Sequence, residues 1–270
     1  MKNHPDSALA PVLYIPHGGG PLPLLGDRQH SELVRFLGDI TSALGRPTAI
    51  AVISAHWETQ VATITSGVAP PLIYDYSGFP ATAYHIRYPA PGAPELASRM
   101  QHLLKDNGIE ARLDEQRGFD HGVYVPLKLM YPDAGLPCIQ LSLVRGLDPE
   151  WHIRIGEALS GLRQQNVLVI GSGFSFHNMR AFSFRGTVEP DPMNAAFEDW
   201  LLQTCTRSDL PEPERRQRLV EWEGAPHARY CHPREEHLLP LHVCYGVAGT
   251  PARRVFDGNV LGKQASAFLW

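Results

Sequence analysis

The sequence is poor in cysteine, in long apolar runs and in excess positive charge, and each shortage argues against a class of protein. Its 270 residues include four cysteines without a CxxC pair, which predicts reduced, buried thiols rather than a disulfide framework. No window approaches the roughly 20 apolar residues that span a bilayer, and the first residues lack a secretory signal pattern. The net charge is −4, so no basic face for nucleic acid is expected. We therefore predict a cytoplasmic protein without membrane or nucleic-acid contacts, whose partners are small molecules.

Two common catalytic motifs are also missing. The glycine turn Gly18–Gly20 is followed by Pro21 and has neither the lysine of a P-loop nor GxGxxG spacing, which argues against a nucleotide phosphate site. Ser172 lies in Gly-Ser-Gly rather than in Gly-x-Ser-x-Gly, which argues against a serine nucleophile. The chemistry is expected from other residues.

Apolar runs alternate with helical patterns along the whole chain, which predicts an α/β fold. We expect one catalytic domain over residues 1–270, with a central mixed or mostly parallel sheet covered by helices on both faces. Predicted strands cover 11–16, 49–55, 61–66, 109–114, 137–143, 166–171 and a final edge strand at 265–270. Predicted helices cover 31–44, 93–107, 123–130, 148–162, 194–206, 213–222 and 238–248.

Histidines stand out, with 13 in the chain. His17, His56 and His177 each follow a different predicted strand, and loops at the carboxyl ends of such strands converge on one crevice. Imidazole binds Fe, Zn, Cu and Ni well, and a site with three protein ligands leaves positions open for other molecules. We therefore predict a metal site at the strand carboxyl ends. Four other histidines are expected to be solvated, namely His4, His30, His102 and His152.

The segment His232-Pro-Arg-Glu-Glu-His237-Leu-Leu-Pro-Leu-His242 is the hardest to explain structurally. Pro233 favours a helix start, and a first-turn position favours acidic residues through the helix dipole. That explanation covers Glu236 but not the histidines. We expect His237 to project from a first helical turn towards the crevice, and His242 to pack along the helix.

Taken in order, these motifs resemble a known family. PHGGGP, SAHWE, YDYSGFP, GFDHGVYVPL, GSGFSFHN and HPREEHLLPL resemble the class III extradiol ring-cleaving dioxygenases, in particular the 4,5-DOPA dioxygenase-like subgroup. The resemblance extends from about residue 12 to residue 249. It implies that His17, His56 and His237 bind a non-haem metal ion. It also implies that His177 is a fourth ligand or the acid/base, and that His121 contacts oxygen or substrate.

The activity implied by this resemblance is opening of a catechol-type ring by O2, with a DOPA-like or related substrate. The implied cofactor is one Fe(II) or Zn(II) ion per chain, because the third ligand is a histidine where many extradiol enzymes have a carboxylate. Tyr76, Arg87 and Tyr124 are candidates for orienting the ring or a carboxylate of the small aromatic diol. Two alternatives stay open from the residues, a zinc-dependent hydrolase and a non-catalytic binding protein. The substrate, the cleavage position, the native metal and the oligomeric state are left undecided.

Overall fold

The computed structural model describes residues 9–184 and 189–270, and within them eight strands form one sheet. Their order across the sheet is β4-β3-β5-β2-β6-β1-β8-β7. Pairing is parallel along β5-β2-β6-β1 and between β3 and β4, and antiparallel elsewhere. The mixed, mostly parallel sheet confirms the predicted fold class. The strands are β1 (Val12–Pro16), β2 (Ala49–Thr59), β3 (Ala62–Thr65), β4 (Ala111–Asp114), β5 (Cys138–Val144), β6 (Val167–Gly173), β7 (Arg253–Val260) and β8 (Lys263–Leu269).

Helices cover both faces of this sheet, as strand β6 demonstrates. A Cβ on Gly171 would meet Pro240 and Cys244, whereas the Ser172 hydroxyl donates to the carbonyl of Gly122. Consecutive strand residues point to opposite faces, so the helices that carry these partners, α8 and α3, lie on opposite sides. The helices are α1 (Ser31–Ile40), α2 (Pro94–Asp106), α3 (His121–Met130), α4 (Pro149–Ala158), α5 (Pro192–Thr206), α6 (Glu212–Val220), α7 (Ala228–Cys231) and α8 (Leu239–Ala248).

The middle strands of the sheet are buried on both faces. All five residues of β1 and all seven of β6 are buried, which explains why these segments appear in the sequence as continuous apolar runs. Each fully buried Val, Leu or Ile side chain contributes roughly 1.5–3 kcal/mol to folding. The loops at the carboxyl ends of these strands therefore start from a rigid base.

The last strand prediction was wrong about its position. Strand β8 lies between β1 and β7, so it is an interior strand, and β7 forms the edge. The sequence of β7, RRVFDGNV, alternates exposed and buried residues and carries charges, which masked it as a strand. Leu261 and Gly262 join the two strands with positive φ at both positions, the geometry of a type I′ hairpin turn.

The helix predicted over residues 238–248 is present as α8, but Pro233 does not start it, because α8 begins only at Leu239. His237 lies in the turn before it, where its backbone carbonyl accepts hydrogen bonds from the Tyr14 hydroxyl and from the amide of Phe174. His242 packs along α8 as expected, fully buried. Among the helices of the described ranges, none is long and apolar enough to cross a bilayer.

Two histidines expected to be solvated are instead buried. His30 and His152 are fully inaccessible to solvent, and both ring nitrogens of each have hydrogen-bond partners. Burial lowers the pKa of His152 to about 4, although the hydrogen bond to Asp148 opposes this. A neutral imidazole can serve as both donor and acceptor inside the core. His102 is exposed, as predicted, and His4 lies outside the described residues. All four cysteines are buried and unpaired.

Candidate metal centre and active site

Five histidines meet around one cavity at the carboxyl edge of the sheet. His17 follows β1, His56 lies near the end of β2, His121 opens α3, His177 follows β6 and His237 precedes α8. All five line a cavity of about 240 Å³. Residues separated by as many as 220 positions in sequence are thus brought together by the parallel order of the strands.

An irregularity in β2 determines where His56 lies. Ile53 pairs with Leu141 of β5, but the next pair is Glu58 with Leu143, so five steps along β2 correspond to two along β5. Such bulges are common beside active sites, where they redirect a side chain. The His56 amide donates to the Ser54 hydroxyl within this segment. His56 therefore lies in the bulged part of the strand.

The environment of His17 selects one tautomer of its ring. Its Nδ1 lies 3.1 Å from the Ser172 hydroxyl oxygen, and that hydroxyl already donates to the carbonyl of Gly122. Nδ1 must therefore carry the proton, which leaves Nε2 with its lone pair directed at His56 Nε2, 2.9 Å away. Burial, with the charges of His56 and His237, lowers the pKa of His17 well below its usual value. The ring is neutral, which is the form that binds a metal.

His237 presents its other ring nitrogen to the same point. Its Nδ1 lies 3.0 Å from Oε1 of Glu236, while its Nε2 is buried and has no hydrogen-bond partner in the described residues. The ligand atoms of His17, His56 and His237 all lie within 4.8 Å of one another. A buried nitrogen left without a partner is costly, and a shared metal ion satisfies it. The three rings therefore fit a metal centre.

Glu236 also contacts His177. The Nδ1 of His177 lies 3.2 Å from the same Oε1, and its ring stacks on that of His237 with centroids 3.3 Å apart. Burial raises the pKa of Glu236, but the hydrogen bond with His177 and the charges of His177 and Arg234 together outweigh burial, so the net pKa is below its usual value. The carboxylate is therefore charged and connects the two histidines.

A second carboxylate serves the other pair of histidines. Oδ1 of Asp75 accepts from the backbone amide of His121 at 3.0 Å and lies 2.8 Å from its Nδ1, while Oδ2 lies 3.9 Å from Nδ1 of His56. Burial raises the pKa of Asp75, but the hydrogen bonds from His121 and the charges of His121 and His56 together lower it below its usual value. Sequence reasoning assigned neither carboxylate to a histidine, because Asp75 and His121 are 46 residues apart.

The three substrate-orienting candidates are placed differently. Tyr76 lines the cavity, and its hydroxyl donates to the carbonyl of Ala83. Tyr124 does not line it, but donates to the Tyr76 hydroxyl at 2.7 Å. Arg87 is exposed and borders a separate surface pocket. The structure therefore brings Tyr76 to the cavity and leaves Arg87 away from it.

The glycine turn after His17 has a structural explanation. The amide of Gly19 donates to Nε2 of His30 at 3.0 Å, and Nδ1 of His30 lies 2.7 Å from Asp27. Gly18 has φ of +85°, and a Cβ there would lie 2.6 Å from Pro23 and 2.9 Å from His30. The turn holds His17 in place, and its Gly19 amide is not free to bind a phosphate.

Comparison with known proteins gives a consistent result. The family model described as the catalytic LigB subunit of aromatic ring-opening dioxygenase matches residues 14–265. Dioxygenase tasH of Hapsidospora irregularis is 37% identical, over 97% of this chain and 86% of that protein. A 4,5-DOPA dioxygenase extradiol of Beta vulgaris is 39% identical, over 95% of this chain and 96% of that protein. The crystal structure of an uncharacterized Escherichia coli K12 protein superposes with a TM-score of 0.80 at 30% identity, covering 96% and 99% of the two chains.

Proposed function

The chain belongs to the family of LigB catalytic subunits of aromatic ring-opening dioxygenases, and we propose that it opens a catechol-type ring beside the two hydroxyls at the five-histidine cavity. The family match confirms the resemblance found in the sequence. It favours the dioxygenase over the zinc hydrolase and the non-catalytic binding protein. The DOPA named for the Beta vulgaris relative is itself a catechol, which supports this substrate class.

The observation that carries the proposal is the buried Nε2 of His237, which has no hydrogen-bond partner among the described residues and lies near the ligand atoms of His17 and His56. These three residues are our proposed ligands. When bound, Fe(II) supplies redox chemistry towards O2, which Zn(II) with its filled d shell does not, so we propose Fe(II) as the native ion. Ser172, Asp75 and Glu236 each face the Nδ1 of one proposed ligand, the arrangement that orients imidazoles in metal sites.

His177 and His121 are proposed to act on the substrate. His177 holds Glu236 through Nδ1, which leaves Nε2 to take a proton from a catechol hydroxyl and later return it. Imidazole suits that task because its ordinary pKa lies near neutrality. The Nδ1 of His121 faces Asp75, which leaves its Nε2 to stabilise negative charge on the reacting oxygen atoms. Its position as the first residue of α3 adds the partial positive charge of a helix N-terminus.

Oxygen consumption with a catechol panel tests the proposal. The protein is loaded anaerobically with Fe(II), its metal content is measured, and oxygen uptake and the spectrum of the ring-opened product are recorded for each catechol. We expect one O2 consumed per catechol opened, and no uptake by protein loaded with Zn(II). Protein that holds one Fe(II) per chain and consumes no oxygen with any catechol contradicts the proposal.

A further inference from the structure

The walls of the cavity away from the histidines are apolar. Besides glycines, Tyr76 and Ser77, the described residues that line these walls are hydrophobic. We call the following six the apolar wall: Leu22, Phe79, Phe174, Phe182, Phe184 and Leu261.

The apolar wall is held together by contacts among separate segments. The ring of Phe182 meets those of Phe174 and Phe176 edge to face at 5.5 Å, and lies 6.2 Å from His177. The amide of Ser183 donates to the carbonyl of Leu261, which fixes this segment to the β7–β8 hairpin turn. The surface that faces a substrate is therefore built into the fold.

Two of the large hydrophobic side chains at this cavity are exposed. Met179 is 59% and Phe184 is 54% exposed, and both line the cavity. Exposed apolar side chains that cluster at a cavity mark a ligand or partner surface. Because they border the histidine cavity, the ligand they indicate is the substrate itself.

The described residues that line the cavity offer no cationic Lys or Arg side chain to an anionic substituent. Asp75 and Glu236 lie directly behind the histidines. An anionic group placed against the apolar wall loses its hydration without gaining a cation. A neutral apolar substituent instead gains from burial there.

The volume of the cavity limits the substrate further. At about 240 Å³ it is smaller than the roughly 300–1,000 Å³ typical of sites for drug-sized ligands. One ring with a short substituent fits such a space.

We propose that the substrate is a single-ring catechol with a short, neutral, apolar substituent that packs against the apolar wall, rather than a catechol with a carboxylate. This inference rests on the proposed function, since it names the substrate class of the same site. It distinguishes this chain from what the name of the Beta vulgaris relative implies for that protein, because DOPA carries a carboxylate and an ammonium group.

A matched pair of catechols tests the inference. 4-Ethylcatechol and 3,4-dihydroxyphenylacetate differ by a methyl group against a carboxylate, and kcat/KM is measured for both with Fe(II)-loaded protein. We expect 4-ethylcatechol to be preferred by about tenfold or more, the range that a hydrophobic pocket achieves. Equal values, or a preference for the carboxylate, overturn the inference.

Variants locate the preference in the apolar wall. Phe184→Arg adds a cation at the exposed edge of the wall, and we expect it to lower the preference about tenfold. Val68→Arg is the matched control, because Val68 is 74% exposed and borders another pocket, so its ratio should equal that of the unmodified protein. A Phe184→Arg ratio that also stays unchanged contradicts the assignment. Arg185 is a cation that follows Phe184 in sequence and lies outside the described residues, so Arg185→Ala is also measured. If this variant loses turnover of 3,4-dihydroxyphenylacetate, the inference is overturned.

A binding measurement separates failure of this inference from failure of the proposed function. Anaerobic calorimetry gives the Kd of each catechol without turnover, and we expect 4-ethylcatechol to bind about tenfold more tightly. Absence of oxygen uptake together with this binding preference contradicts the proposed function alone. Oxygen uptake with the carboxylated catechol preferred contradicts this inference alone, and binding of neither catechol contradicts both.

Discussion

Two carboxylates each contact two of the five histidines, but they use their oxygen atoms differently. We call Glu236 with His237 and His177 the Glu236 side, and Asp75 with His121 and His56 the Asp75 side. On the Glu236 side, a single oxygen, Oε1, contacts both His237 and His177 at 3.0 and 3.2 Å. On the Asp75 side, Oδ1 contacts His121 at 2.8 Å while Oδ2 lies 3.9 Å from His56. Each carboxylate thus serves one proposed ligand and one residue proposed to act on the substrate.

The two sides also differ in how the carboxylate is held. Oε2 of Glu236 lies 3.5 Å from Arg234, and Arg234 is paired with Glu58 at the end of β2. Asp75 lies in the loop after β3 and is held by the backbone amide of His121. Under the proposed roles, one oxygen of Glu236 contacts both a metal ligand and the acid/base, whereas the two oxygens of Asp75 face its two histidines separately.

Removing a proposed ligand has the largest expected effect. In His56→Ala, the metal content after Fe(II) loading should fall about tenfold or more and oxygen uptake should fall to background, since ligands matter at least as much as the partners that orient them. Metal analysis and an oxygen electrode measure both. His102→Ala is the control, because His102 is exposed on α2 and should keep full metal content. Full metal retention in His56→Ala means that the Asp75 side holds no ligand.

Changing the stacked histidine has the next largest effect. His177→Gln keeps a polar group near Glu236 but cannot accept a proton at working pH. We expect kcat to fall by about 10²–10⁴, the usual contribution of a general acid or base, with metal content unchanged within about twofold. If metal is lost to the same extent as in His56→Ala, His177 is a metal ligand rather than the acid/base.

Neutralising each carboxylate compares the two sides directly. We expect Glu236→Gln to weaken metal binding and kcat together by about 10–100-fold, because one oxygen contacts both histidines. We expect Asp75→Asn to lower kcat with a smaller change in metal affinity, because its nearest contact is with His121. A metal titration and a kcat measurement on each variant give the comparison. Equal loss of metal affinity in the two variants contradicts the difference between the sides.

Sequence predicted the parts of this arrangement that depend on short patterns. Strands β1, β2 and β6 contain continuous apolar runs, the pattern of strands that are covered on both faces. His17 follows such a run, which predicts its place at the carboxyl edge of the sheet. These local patterns are the reason that the fold class could be predicted from the sequence. The roles of the site residues stay predictions until the variants are measured.

The remaining parts depend on contacts distant in sequence. Glu236 looks like a helix-cap residue from its neighbours, and only folding brings His177 to it. His30 was expected to be solvated because its local sequence is polar, whereas the glycine turn buries it. Such features need the tertiary fold, since local patterns do not encode partners so far away.

The smallest expected effect concerns a buried carboxylate outside the cavity, which can be compared with Asp75 and Glu236. Glu198 of α5 is fully buried and accepts from the Ser266 hydroxyl at 2.6 Å, while its Oε1 has no partner in the described residues. Burial raises its pKa from 4.5 to about 7, although hydrogen bonds from Ser175 and Ser266 oppose this. Unlike Asp75 and Glu236, it has no histidine partner among the described residues, and its hydrogen bond comes from a neutral hydroxyl.

The raised pKa predicts a pH-dependent stability. Between about pH 4.5 and pH 7 the folded chain holds a proton on Glu198 that the unfolded chain releases, so this group makes the protein less stable as pH rises through that window. The difference amounts to at most about 3 kcal/mol. Glu198→Gln mimics the protonated form. It should raise the free energy of unfolding by about 1–3 kcal/mol at pH 8, and by little at pH 4.

Urea unfolding of the metal-free proteins at pH 8 and pH 4 measures this difference without any contribution from the cavity. Glu115→Gln is the matched control, because Glu115 is exposed and the same substitution there should leave the stability at both values of pH unchanged. A gain in Glu198→Gln that is equal at pH 8 and pH 4 indicates better packing rather than removal of a charge. A stability loss at pH 8 means that the Glu198 carboxylate is compensated in the folded chain, as those of Asp75 and Glu236 are by their histidines.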